Sequence, residues 1–329
     1  HILPLRPQTR VAVIGDFAID PRYQGAGSSM VNPTRLDTVE QELEHCSLQV
    51  TGVAQGYDRQ GQDDAAMQKT ALDLAKTADV VLYFFGLNEL SEAEGQDRNH
   101  MRIPQNQIDL LQAISQINPN IVGILSAGSA VEMPWHRCCK GLLHGYLWGQ
   151  AGAGAILDIL TGKINPSGRL AESYPLRHED TPAFRFFPSQ ERNAEYREGL
   201  YVGYRYYTTA QVRVLFPFGY GLSYTDFSYS DLCVDPEGAT FTLTNSGSMA
   251  GAEVPQLYVG LPCGKVFRPF LELKGFAKIF LQPGESRQVR IPFDDKTFRY
   301  WNVKTGRWEV EGGTWQICIG ACVSDIRLT

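Results

Sequence analysis

The chain has 329 residues, 43% hydrophobic and 20% charged, with a formal net charge of -6 and a pI near 5.6. Length and apolar content exclude a disordered chain and a single small domain, and predict two domains with sizeable cores. The acidic balance, without a basic run or a stripe of aromatic and basic residues, excludes a binder of phosphate backbones, so no nucleic-acid partner is expected.

The first half alternates apolar runs with amphipathic ones. TRVAVIGDF (9–17), SLQVTGVAQ (47–55), ADVVLYFFG (78–86), NIVGILSAG (120–128) and KGLLHGYLWG (140–149) read as strands. TRLDTVEQELEHC, DDAAMQKTALDLAKTA and PQNQIDLLQAISQI between them read as helices, as does AGAGAILDILTG after the fifth strand; Ile108, Leu111, Ile114 and Ile117 show the helical spacing. Continuous apolar strands with crossover helices predict a largely parallel sheet covered on both faces, with ligands outside the carboxyl ends of its strands. After GKINPSGRLAESYP (162–175) the composition shifts to a connection rich in Pro, Arg and Tyr, and then to short alternating strands punctuated by Gly and Pro. The expected organisation is an α/β three-layer sandwich over residues 1–176, an interdomain strap over 177–227, and an all-β immunoglobulin/fibronectin III-like sandwich over 228–329.

GLNELSEAEGQDRNH (86–100) leaves the end of the third strand with Glu89, Glu92, Glu94 and Asp97 inside nine residues. A solvated loop is the bland account. The sharper one is a site that holds one carboxylic acid protonated, since neighbouring like charges disfavour ionisation and raise a pKa. GDFAIDPRYQGAGSS after the first strand lacks the Walker Lys and fits G-x-G-x-x-G badly, so its glycines are read as a tight turn and not as a phosphate cradle. Whether Ser28 or Ser29 touches a ligand is not legible.

The cysteines at 46, 138, 139, 233, 263, 318 and 322 follow no zinc or disulfide spacing and read as free thiols of a reducing compartment, which favours the cytoplasm. His136 beside Cys138 and Cys139 is the nearest approach to a metal site, and the histidines at 1, 45, 100, 136, 144 and 178 form no ligand pattern. No segment is apolar for long enough to span a bilayer and no signal peptide is legible; the sequence opens on His and not Met, which leaves a leader outside it open. Trp135 and Trp148 read as core or interdomain residues before sugar platforms, and Trp301, Trp308 and Trp315 as core aromatics of the last domain. Arg197, Glu198, Tyr201, Tyr204 and Arg205 read as an interface strap, because Tyr and Arg are enriched in packed interfaces.

Seven collinear stretches carry a resemblance: LPL…VAVIGDFA, GAGSSMVNP, GLNELSEAEGQDR…IPQNQIDLL, SAGSAVEMPW, NPSGRLAESYP, YREGLYVGYRYY and FPFGYGLSYTDFSY, followed by LELKGFAKIFLQPGES…VRIPFD. Together they resemble the C-terminal part of a family 3 glycoside hydrolase, with its fibronectin-like domain. The resemblance implies a retaining exo-acting β-glycosidase without cofactor or metal, acting on terminal non-reducing β-linked glucose, or on xylose or a related sugar. In that family a barrel domain supplies an Asp nucleophile, usually followed by Trp, and the α/β sandwich supplies the acid/base Glu. No Ser-Asp-Trp or Thr-Asp-Trp occurs here, and HILPL matches the point where such chains leave the barrel. The implied partners are therefore that barrel and a β-glycoside; no membrane partner is expected, and homo-oligomerisation stays open. By itself the chain is expected to turn over nothing.

The family's Glu-Gly loop points to Glu94 of EGQDR as the acid/base, with Glu92 second and Glu89 third. Asp97 and Arg98 are expected to pair and pin the loop, as a guanidinium–carboxylate fork does. Two other readings stand beside this one: a non-catalytic carbohydrate-binding or scaffold protein built on the same two domains, and a flavodoxin-like nucleotide-binding domain. Sugar binding by the isolated chain separates the first from the enzyme. Retention of a nucleotide separates the second, and the acidic loop disfavours it.

Overall fold

The strand β3 (Val80–Gly86), sequence VVLYFFG, is buried at all seven positions, which a strand can be only where both faces of its sheet are covered. In the computed structural model, which describes residues 2–329, it is the centre of a five-stranded sheet with order β2-β1-β3-β4-β5. The other strands are β1 (Arg10–Ile14), β2 (Gln49–Ala54), β4 (Ile121–Ser126) and β5 (Gly141–His144), and all neighbours pair in parallel. His1 lies outside the described residues.

Helices cover both faces. Val11, Val13, Leu82, Phe84, Val122 and Ile124 form one core with Val39 of α1 (Val39–Glu42) and Ala153, Ile156, Leu157 and Leu160 of the fourth helix (Gly152–Leu160). Side chains of opposite parity, such as Tyr83 and Phe85, face the other layer. There the Tyr83 hydroxyl donates to the Gln107 carbonyl (2.7 Å) and Phe85 meets Trp135 edge-on at 4.7 Å. That layer contains α2 (Ala65–Ala75), whose first amides donate to the Asp64 side chain, and α3 (Gln105–Ile117), which buries Ile108, Leu111 and Ile114. Each such fully buried side chain is worth about 1.5–3 kcal/mol.

The helix expected over TRLDTVEQELEHC is much shorter than its periodicity suggests. It starts only at Val39, where Thr38 caps the amide of Gln41, and continues after Glu42 as a 3-10 turn, Leu43–His45. The segment between Pro33 and the cap stays non-helical. Trp135 is core, 1% exposed, and Trp148 packs edge-on to Phe84 at 5.8 Å.

The chain divides after Ile164 into two compact units, so the second begins at Asn165, ahead of the composition shift read from sequence. The second unit opens with a small ladder of β6 (Tyr174–Pro175) and β7 (Val214–Phe216), with the short helix α5 (Tyr204–Thr209) between them. It then runs as antiparallel β-structure, as expected. β8 (Phe227–Asp235) and β9 (Gly238–Asn245) are followed by β10 (Gly251–Glu253), β11 (Gln256–Gly260), β12 (Glu272–Phe276), β13 (Ile279–Leu281) and β14 (Ser286–Pro292). The hairpin β15 (Arg299–Asn302) and β16 (Arg307–Val310) precedes β17 (Gln316–Cys322) and β18 (Asp325–Leu328). The sheets β14-β9-β8 and β12-β11-β17-β18 contribute to one core: Phe241 and Leu243 of β9 meet Leu257 and Val259 of β11 and Ile319 of β17. The alternate residues Tyr258 and Cys318 form a second cluster with Tyr204 of α5, whose hydroxyl accepts from the Leu273 amide at 2.8 Å. Tyr204 of the expected strap is thus a packing residue of this unit.

The last tryptophans depart from the expectation that all three are core. Trp315 packs against Phe298, but Trp301 and Trp308 are 49% and 55% exposed, facing one another across the β15–β16 hairpin with ring centroids 5.5 Å apart. They sit opposite each other in the register, on the face away from Tyr300 and Glu309. Phe241→Ala is therefore expected to cost about 3–5 kcal/mol, whereas Trp301→Ala should lose only the edge-to-face contact, about 0.5–1.5 kcal/mol. Urea unfolding of the two variants compares them directly.

Candidate active site

In a parallel sheet the crevice lies where strand order reverses, outside the carboxyl ends. Here the reversal is between β1 and β3, and the loops that leave those two strands meet. Gly86 ends β3 at φ +151, where a Cβ would stand 1.8 Å from the Ser126 carbonyl oxygen, so only glycine lets the chain turn out of the sheet there. Ala26 of the β1 loop and Ala93 of the β3 loop then form a parallel bridge, and the Glu94 amide donates to the Ala26 carbonyl (3.0 Å).

The three glutamates of the cluster are held by different partners. Glu89 accepts from Arg59 (3.3 Å), whose guanidinium also pairs with Asp16 and Asp20 and lies over the Phe17 ring at 4.8 Å. Burial pushes the Asp16 carboxyl up from its ordinary value, against the pull of Arg59. Glu92 is the most heavily bonded acid. Its Oε2 accepts from Arg22 Nη1 (3.2 Å) and the Gly128 amide (2.8 Å), its Oε1 accepts from Ser129 Oγ (2.8 Å), and Arg98 stands 3.5 Å away. Arg22 is 1% exposed and also donates to the carbonyls of Leu87 and Asn88, while Asn88 caps Ser91. Glu92 and Arg22 thereby tie together the loops after β1, β3 and β4.

Glu94 is arranged differently. It is exposed, and its Oε2 takes two bonds from Ser28, one from the backbone amide (2.6 Å) and one from the hydroxyl. Among the described residues Oε1 makes no hydrogen bond. The hydroxyl and then the amide of Ser28 hold the Glu94 carboxyl below its ordinary value. This differs from the expectation that crowding holds the acid protonated: Arg59 pairs with Glu89, Arg22 and Arg98 with Glu92, and at Glu94 the hydrogen bonds to the ionised form win. Asp97 is exposed, and Arg98 turns inward to Ser129 Oγ (2.6 Å), the Ala130 carbonyl and Glu92.

Gly27 makes the contact sterically feasible. At φ +106, a Cβ there would stand 2.5 Å from Glu94 Cβ and 2.8 Å from Oε2. Gly27→Ala is expected to drive Glu94 off Ser28, and a crystal structure of the variant should show the carboxylate rotated out. The sequence pattern marks Gly27 only as one of the turn glycines and does not single out Arg22; the signal for Arg22 is a lone Arg amid the turn residues of DPRYQGAG, in the loop that leaves β1.

Chemically, Glu94 can exchange a proton at Oε1 without breaking a contact, whereas Glu92 can do so only by giving up bonds that hold three loops. Among the described residues no group of three or more His, Cys, Asp or Glu is arranged to hold a metal ion, and no helix is long and apolar enough to cross a membrane.

A parallel sheet with an acid loop at its switch point, followed by an antiparallel sandwich, defines the class, and the comparisons give the family. The model of the glycosyl hydrolase family 3 C-terminal domain matches residues 1–224, and that of the fibronectin type III-like domain matches 253–322. The chain belongs to glycoside hydrolase family 3, in the region of its C-terminal domains. It is 43% identical to thermostable beta-glucosidase B of Acetivibrio thermocellus, over 99% of this chain and 45% of that protein. It is 41% identical to an exo-alpha-(1->6)-L-arabinopyranosidase of Bifidobacterium longum, over 99% of this chain and 44% of that protein. The crystal structure of a Bifidobacterium adolescentis family 3 beta-glucosidase superposes with a TM-score of 0.95 at 40% identity, covering 99% of this chain and 49% of that one. The chain thus spans about half the length of the curated relatives it matches.

Proposed function

We propose that this chain supplies the general acid/base, Glu94, to a retaining exo-acting β-glycosidase, with a terminal β-linked glucose as the substrate sugar. The observation that carries the reading is the contrast between two acids two residues apart: Glu92 is committed on both oxygens, and Glu94 is held by one oxygen and presents the other to solvent. The nucleophile in this reading is the Asp of a family 3 barrel, which is the proposed partner of the chain. Retention places the two carboxyl groups about 5–5.5 Å apart. Protonated at Oε1, Glu94 donates to the glycosidic oxygen as the Asp attacks the anomeric carbon. It then takes a proton from the water that cleaves the glycosyl–Asp ester. Docking of the barrel and a sugar over Glu94 would desolvate it, and desolvation raises a carboxyl pKa toward the value a general acid needs.

The test is an assay of the 329 residues alone and of the same residues joined to a family 3 barrel, both on an aryl β-glucoside. Turnover by the joined protein and none by the chain alone is expected. Turnover by the chain alone would overturn the division of labour between the two parts. A folded fusion that binds glucose without turnover would favour the non-catalytic reading.

A further inference from the structure

We infer that Ser28 is a positioning residue for Glu94: its hydroxyl and amide both occupy Oε2, which selects Oε1 as the oxygen that exchanges a proton with substrate. The inference rests on the reading of Glu94 as the acid/base, but the contact behind it is independent of that reading.

Three features show that the contact is built into the fold. The Ala26–Ala93 bridge and the Glu94 amide bond to Ala26 set the two loops in register, so Ser28 and Glu94 meet on neighbouring backbones that are already fixed. Gly27, with no Cβ and a positive φ, lets the Glu94 side chain lie against the β1 loop. The Met30 amide donates to the Gly27 carbonyl (3.2 Å), which turns the chain back just after Ser28. A solvent-exposed glutamate would otherwise sample several rotamers, and two donors on one oxygen remove most of that freedom at the atom that matters for orientation. A carboxylate bonded through one oxygen also has inequivalent oxygens: the unbonded one is the more basic and is where a proton binds. The same bonds favour the ionised form, as the lowered Glu94 value indicates.

Substitution separates the hydroxyl from the amide. Ser28→Ala keeps the backbone donor and loses the hydroxyl, while Ser28→Thr keeps both. Carboxyl-carbon NMR of Glu94 in the 329-residue chain reads its titration directly, whether or not Glu94 is catalytic. The midpoint is expected to move up in Ser28→Ala and to stay near the parent in Ser28→Thr. An unmoved midpoint in Ser28→Ala, or an equal rise in both variants, would overturn the role assigned to the hydroxyl. In the protein joined to a barrel, Ser28→Ala should lower kcat more than it raises KM and shift the alkaline limb of the pH profile upward, with recovery in Ser28→Thr. A shifted titration with an unshifted pH profile would leave the contact standing and count against Glu94 as the acid, so the two failures are distinguishable.

Discussion

Glu94→Gln, in a protein that joins this chain to a family 3 barrel, is expected to cut kcat/KM on an alkyl β-glucoside roughly 10²–10⁴-fold, the usual worth of a positioned general acid. Aryl glucosides with strongly activated leaving groups should lose far less in the first step, because a good leaving group departs without a proton. Their second step should stall, since no base remains to activate water. Added azide, which attacks without a general base, should restore turnover and give the β-glycosyl azide. Initial rates on the two substrate classes, with and without azide, check this. Full activity in Glu94→Gln, together with this leaving-group pattern in a folded Glu92→Gln, would move the role to Glu92.

Arg22→Ala is expected to destabilise the α/β unit by several kcal/mol, on the scale of emptying a buried aromatic position. The Arg22 side chain is 1% exposed and that of Glu92 is 11% exposed, so removing the cation leaves a largely buried carboxylate and two carbonyls short of a donor. Breaking a buried pair by deleting one partner costs about 3–5 kcal/mol. Arg98, 3.5 Å from the other carboxylate oxygen, offsets part of that. For a unit of this size the loss should lower the melting temperature by roughly 10 °C. Calorimetry of the variant measures it, and a change within about 0.5 kcal/mol, as for an ordinary surface substitution, would show that Arg22 does not hold the loops. Exchange of the loop amides should rise together with the fall in melting temperature, because Arg22 ties the loop after β3 by its backbone carbonyls as well as by Glu92.

The sheet was readable because its cause is local and repeated. VVLYFFG is apolar at both parities and IVGILS nearly so, and such runs are stable only between two covered faces. The helix over residues 105–117 was readable for the same reason, from Ile108, Leu111 and Ile114 at one face. TRLDTVEQELEHC misleads because its periodicity extends further than its cap permits. Trp301 and Trp308 mislead because alternation says which residues share a face of a hairpin, but not whether another sheet covers that face.

At the site, the sequence by itself determined the family, the acid loop and the strand it leaves. It put Glu89, Glu92, Glu94 and Asp97 within nine residues of one loop that leaves the third strand. Which partner each acid takes is decided by the tertiary structure, because the partners are distant in the chain: Arg59 for Glu89, Arg22 and Ser129 for Glu92, Ser28 for Glu94. Spacing along an irregular loop carries no fixed face, so residues 92 and 94 are equivalent until the loops after β1 and β4 close on one of them. A carboxylate's charge state and free oxygen follow from the donors around it. Those donors are brought in by the parallel order of the strands, not by the neighbours of Glu94 in sequence.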